Sequence, residues 1–254
     1  HVRLLGTEDK WAAVEIAVAI GDANLDEARA SLREDLGDRA DIALLPARNR
    51  KKRLLISDMD STIIQQECLD ELAAYAGLKD EIAAITARAM AGELDFEGAL
   101  TERVGKLKGL SLDALEQCFD ERITLMPGAK TLTATITENG GFCMLVSGGF
   151  TYFTTRVSAA AGFKADKGNV LLDDGAALTG EVGRPILGRE AKLDALDDCA
   201  FANGWNRHDA LAMGDGANEL ALIEAAGLGL AVHAKPCVAN AADAAINICD
   251  LTAA

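Results

Sequence analysis

The chain has no run of about 18 or more apolar residues, so no segment of it is expected to span a membrane. It has only three histidines, His1, His208 and His233, and they show none of the spacing of a zinc site. Its six cysteines, Cys68, Cys118, Cys143, Cys199, Cys237 and Cys249, include no C-x-x-C pair. Most lie inside apolar patterns and read as reduced, buried thiols of a cytoplasmic protein. Positive charge is also scarce: 25 Lys and Arg stand against 40 Asp and Glu, a formal net charge of −15. So acidic a surface argues against binding nucleic acid through its phosphates, and it exerts no long-range pull on a small anion. An anion site would have to be built locally, and any metal should be held by oxygen. Charged residues interrupt every apolar run near the start of the sequence, so no signal peptide is expected.

What is present is enough apolar residue, 50% of 254, to bury a core of one large domain with an appendage. Residues 1–50 read as a small α+β segment of unassigned role. Within it, Leu25 to Leu36 has helical spacing, with Asn24 as the cap and Gly37 as the end. Trp11 to Ile20 fits strand or helix, and Ile42 to Leu45 reads as a short strand stopped by Pro46. Arg48 to Arg53 is a basic run, read as a solvated linker in preference to a contact for nucleic acid or an acidic partner.

Residues 51–254 change pattern. Compact apolar segments at 54–56, 144–146, 210–213, 228–232 and 245–248 alternate with helical stretches. This predicts an α/β fold, a Rossmann-like parallel sheet with helices on both faces. Residues from about 64 to 127 are almost wholly helical in pattern and interrupt the alternation as an inserted helical cap. Residues 168–186 suggest a peripheral β-hairpin.

Three apolar segments end in polar punctuation: Asp58-Met59-Asp60-Ser61-Thr62, Ser147-Gly148-Gly149 and Gly214-Asp215-Gly216. Ligands of open α/β sheets bind beyond the carboxyl ends of the strands, so these loops are expected to meet. Asp58, Asp60 and Asp215 then offer hard oxygens for Mg²⁺. Ser147 offers a hydroxyl, and Gly148 and Gly149 let the main chain approach a phosphate. Lys192 could neutralise charge there.

In order and setting, these residues resemble the four motifs of the haloacid dehalogenase superfamily of phosphatases. The resemblance tightens to the phosphoserine phosphatase family through Glu67, through Met90, Phe96 and Arg103 in the helical insertion, and through Ser147-Gly148-Gly149-Phe150 and Ala191-Lys192. It covers about residues 53–250. It implies Asp58 as nucleophile and Asp60 as general acid and base, with Mg²⁺ held by Asp58, the Asp60 main chain and Asp215. Glu67 would hold the ammonium of O-phosphoserine and Arg103 its carboxylate, with Met90 and Phe96 closing over them and Asn218 placing the substrate. A role in serine biosynthesis is implied as well, and the oligomeric state is left open between monomer and homodimer. One departure stands out: the family usually reads Gly-Asp-Gly-Ala-Asn-Asp, and this chain has Glu219 in the last place. The same motifs would serve a phosphotransferase acting on another alcohol such as homoserine, and a non-catalytic phospho-ligand sensor is the reading outside enzymes.

Overall fold

The computed structural model describes residues 2–8, 11–21, 24–36 and 39–254. Its first strands, β1 (Val2–Glu8) and β2 (Trp11–Ile16), pair antiparallel, with Val2 opposite Ile16 and Leu4 opposite Val14. These four apolar side chains remain largely exposed. Helix α1 (Leu25–Leu36) starts where expected, with the Asn24 side chain accepting the Asp26 N–H at 2.9 Å. Its expected end at Gly37 lies outside the described residues. The segment Ile42 to Leu45 is not a strand: it makes one isolated bridge, Ala43 to Ala244, because Pro46 follows at once and cannot extend a ladder. The basic run is spent on internal contacts. Arg50 pairs with Glu15, Lys51 reaches the Asn139 side chain at 2.6 Å, and Arg53 stacks over Trp205 at 4.7 Å.

The main sheet starts with β3 (Leu54–Ser57), every residue of it buried. Four helices follow: α2 (Cys68–Tyr75), α3 (Lys79–Met90), α4 (Phe96–Lys106) and α5 (Leu112–Arg122). Local chemistry sets two of their starts. Asp95 accepts the Gly98 N–H at 2.7 Å and Ser111 the Ala114 N–H at 3.2 Å, satisfying amides that a helix start leaves free. After α6 (Ala129–Glu138), strand β4 (Phe142–Phe150), α7 (Thr151–Ala161) and β5 (Ala165–Asn169) resume the alternation. Then come the expected hairpin of β6 (Leu171–Asp173) and β7 (Leu178–Val182), and the long helix α8 (Glu190–Ala202). The chain closes with β8 (Ala210–Gly214), α9 (Leu220–Ala225), β9 (Leu228–Val232), α10 (Pro236–Ala241) and β10 (Ala244–Ile246).

The six-stranded sheet runs in the order β10-β9-β8-β3-β4-β5, and all its pairs are parallel. The Rossmann-like reading holds. β5 is a strand that the apolar pattern did not reveal: Ala165-Asp166-Lys167-Gly168-Asn169 lies at the sheet edge, where one side needs no neighbour.

The two-residue period of a strand sends alternate side chains to opposite faces. Leu54 and Ile56 of β3, with Ala210 and Ala212 of β8, pack against α8 and Leu222 of α9. Leu55, Leu211 and Met213 face the other way, into a core shared with α7 and with Ile82, Leu100, Val104 and Leu115 of the inserted helices. At roughly 1.5–3 kcal/mol for each fully buried aliphatic side chain, this second core fixes the insertion to the sheet.

Candidate active site

Register brings the polar loops together. Ser57, the last residue of β3, sits between Leu145 of β4 and Met213 of β8. Asp58 follows it, and its N–H donates to the Met213 carbonyl at 3.0 Å. Ser147 and Asp215 each lie two residues beyond their strand's partner of Ser57. Three adjacent strands thus deliver Asp58, Ser147 and Asp215 to one edge.

The fourth residue comes from the face. Lys192 on α8 is buried, and its ammonium lies 2.6 Å from Asp58 Oδ1 and against Glu219 Oε1. Burial works against the charge on Lys192, but Asp58 and then Glu219 outweigh it and raise its pKa. Glu219 has the reverse problem. Burial and the nearby Asp58 push its carboxyl up to about 7, with Lys192 opposing them. Its other oxygen accepts the Gly216 N–H at 3.0 Å. Gly214 makes room for this longer acid, since a Cβ there would lie 2.3 Å from Glu219 Cγ.

One oxygen each of Asp58, Asp215 and Glu219 lies within 4.8 Å of the others. Burial, then the charge of Asp58, raises the pKa of Asp215. Crowded carboxylates with no sulfur or nitrogen donor among them suit a hard divalent cation, so the cluster could hold such a metal. Glu219 joins this cluster by its side chain, whereas the ligand expected from Asp60 is its main chain. The Asp60 carboxylate is engaged elsewhere. Oδ1 accepts the Cys68 N–H at 2.9 Å, and Oδ2 accepts from the Ser147 hydroxyl at 3.4 Å. Burial, then the charges of Glu67 and Asp58, lifts its pKa to about 7, with the Cys68 N–H opposing them. That leaves Asp60 outside the cluster as a carboxyl able to hold or give a proton near neutrality.

The glycines have a geometric reason. A Cβ on Gly149 would stand 3.1 Å from both Asp60 Oδ2 and Ser147 Oγ. The Gly149 N–H donates to Ser147 Oγ at 2.9 Å. A Cβ on Gly148 would meet the Phe96 ring at 3.4 Å, so α4 already lies over this loop. Buried Asn169 braces the loop from β5, donating to the Gly148 carbonyl at 2.8 Å and accepting the Leu187 N–H at 2.7 Å. Sequence reading missed Asn169, and its one visible signal was a polar residue ending an unrecognised strand.

Glu67 takes a 2.7 Å hydrogen bond from Ser61. Arg103 on α4 is half-buried. Burial lowers its pKa, while the charges of Asp70 and Glu67 act the other way and mark its nearness to them. Asn218 is exposed beside Glu219. Met90 ends α3 with 78% of its surface exposed. No helix among the described residues is long and apolar enough to cross a membrane.

Comparison with known proteins agrees with this layout. Residues 55–224 match the family model for haloacid dehalogenase-like hydrolases. A phosphoserine phosphatase of Archaeoglobus fulgidus is 40% identical over 240 residues, covering 92% of this chain and 69% of that protein. A substrate-bound phosphoserine phosphatase structure superimposes with a TM-score of 0.70 at 35% identity, covering 78% of this chain and 94% of the other. A phospho-aspartyl intermediate analogue of phosphoserine phosphatase gives 0.71 at 37% identity, over 80% and 97% of the two chains.

Proposed function

The chain belongs to the haloacid dehalogenase-like hydrolases, among the phosphoserine phosphatases, and from that membership we propose that it hydrolyses O-phospho-L-serine to L-serine and phosphate through an aspartyl-phosphate on Asp58. The observation that carries the mechanism is the convergence on Asp58. A buried ammonium lies 2.6 Å from its carboxylate, and Asp60 stands apart with bonds to Ser147 and the Cys68 N–H.

Asp58 attacks phosphorus in line, the serine oxygen leaves, and Asp60 gives that oxygen its proton. Asp60 then takes a proton from the water that hydrolyses the acyl phosphate, which restores the Asp58 carboxylate and the protonated Asp60. Ser147, the Gly148-Gly149 main chain and Lys192 hold the phosphoryl oxygens as charge moves across them. Mg²⁺ is the proposed cation, held by Asp58, the Asp60 main chain and Asp215, and it neutralises charge on nucleophile and phosphate when bound. Glu219 keeps Lys192 aimed at Asp58. Glu67 reads the substrate ammonium, Arg103 its carboxylate, and Asn218 helps place it. Residues 64–127 act as a cap that shuts out water, with Phe96 over Gly148. In this reading the enzyme is cytoplasmic and completes serine biosynthesis.

Phosphate release should be measured with O-phospho-L-serine, O-phosphothreonine and a simple sugar phosphate, with Mg²⁺ and with EDTA. Mg²⁺-dependent turnover that favours phosphoserine is expected. Turnover of the others but not of phosphoserine would leave the Asp58 chemistry standing and remove the substrate assignment.

A further inference from the structure

We infer that Ser61 is a positioning residue for Glu67 and thereby sets how tightly the substrate ammonium is held. The inference rests on the reading of Glu67 given above. Ser61 has φ +54°, a left-handed backbone that it shares among described non-glycine residues with only Asn49 and His233. This conformation disfavours side chains other than those of Asn and Asp, and glycine would adopt it freely. A serine kept there points to a use for its hydroxyl.

That use is visible. The Ser61 hydroxyl donates to Glu67 Oε1 at 2.7 Å, and its N–H donates to the Gln66 carbonyl at 3.1 Å. One residue thus closes the loop onto Glu67 twice. The residues on both sides of Glu67 are anchored by other groups as well. The Gln66 side-chain amide donates to the Thr124 hydroxyl at 2.8 Å and accepts the Thr124 N–H at 2.9 Å, and the Cys68 N–H is taken by Asp60 at 2.9 Å. Ser61 is the only described hydrogen-bond donor to the Glu67 carboxylate. Without it, an exposed glutamate with three rotatable bonds would lose rotamer freedom each time it bound a cation. The left-handed backbone at Ser61 aims the hydroxyl, and the hydroxyl aims the carboxylate.

The test compares Ser61→Ala, which removes the hydroxyl and keeps a side chain, with Ser61→Gly, which removes the hydroxyl and relieves the backbone. Tm, KM and kcat are measured on O-phospho-L-serine and on O-phospho-3-hydroxypropionate, its analogue without the ammonium. Both variants should raise the KM for phosphoserine about tenfold, as expected for losing one hydrogen bond to a charged group, while the KM for the analogue stays put. Ser61→Gly should melt higher than Ser61→Ala, so a KM that follows the hydroxyl and not Tm marks positioning. In a Glu67→Ala background, Ser61→Ala should add nothing. A KM defect that Ser61→Gly escapes would overturn the inference in favour of a backbone role. An unchanged phosphoserine KM in both variants, beside a raised one in Glu67→Ala, would overturn it alone. An unchanged KM in Glu67→Ala would remove the reading of Glu67 and this inference with it.

Discussion

Asp58 and Asp60 sit two residues apart in one loop, yet their partners differ. Asp58 faces a buried ammonium, whereas Asp60 faces a hydroxyl and an amide. Asp58→Asn keeps the shape and removes the nucleophile, so turnover on phosphoserine should fall by about a thousandfold or more in a steady-state assay. Asp60 makes a prediction about stability. Its folded pKa of about 7 lies above the unfolded value near 3.9, so the metal-free folded state holds this proton more tightly. The resulting stabilisation is full below about pH 4 and is lost as pH rises through 7. Metal-free Asp60→Asn should therefore show a flatter fall in denaturation midpoint between pH 4 and 7 than the parent chain. Equal slopes would mean that Asp60 does not carry the burial and charge described here.

At the scale of elements, the strand ends and the first turn of α8 must agree to within ångströms. Gly149→Ala pushes a methyl against Asp60 and Ser147 at 3.1 Å. It should cut kcat about a hundredfold and shift Tm by only a few degrees, because the clash falls on the site and not on the core. Gly214→Ala is the opposite case. Its Cβ would overlap Glu219 near the main chain, where the side chain cannot swing away. Glu219 would release Lys192 and leave a buried ammonium short of a partner, a loss of about 3 kcal/mol that thermal or urea unfolding would detect. The elements also show what the sequence could and could not reveal. Asp58, Ser147, Asp215 and Lys192 were legible because each is a polar residue at the end of an apolar strand or in a short signature that continues into a helix. β5 was not, because an edge strand with Asp, Lys, Gly and Asn has no apolar signature. Asn169 and the left-handed Ser61 stayed hidden for a related reason, since their effect depends on partners that only the folded chain supplies. The exposure of Met90 was not legible either, because a helical apolar position looks the same whether or not something covers it.

At the scale of the molecule, a chain of net charge −15 gathers Asp58, Asp215 and Glu219 beside Lys192, a concentration of like charge that a divalent cation would relieve. Mg²⁺ should therefore raise Tm in a saturable way, by the mass-action term for a ligand bound only to the folded state, and EDTA should reverse it. Asp215→Asn should blunt that response in a thermal-shift titration. The same architecture bears on how the protein is made. β3 lies between β8 and β4, and both neighbours follow it in the chain only after the whole helical insertion has passed. The β8 pairing waits longer still, for a strand that follows α8. Closing such distant segments is slow, and no part of the site can work before β8 has docked on β3. A nascent chain released before β8 emerges would hold the nucleophile but neither Asp215 nor Glu219. On dilution from denaturant, recovered turnover should lag behind recovered helicity.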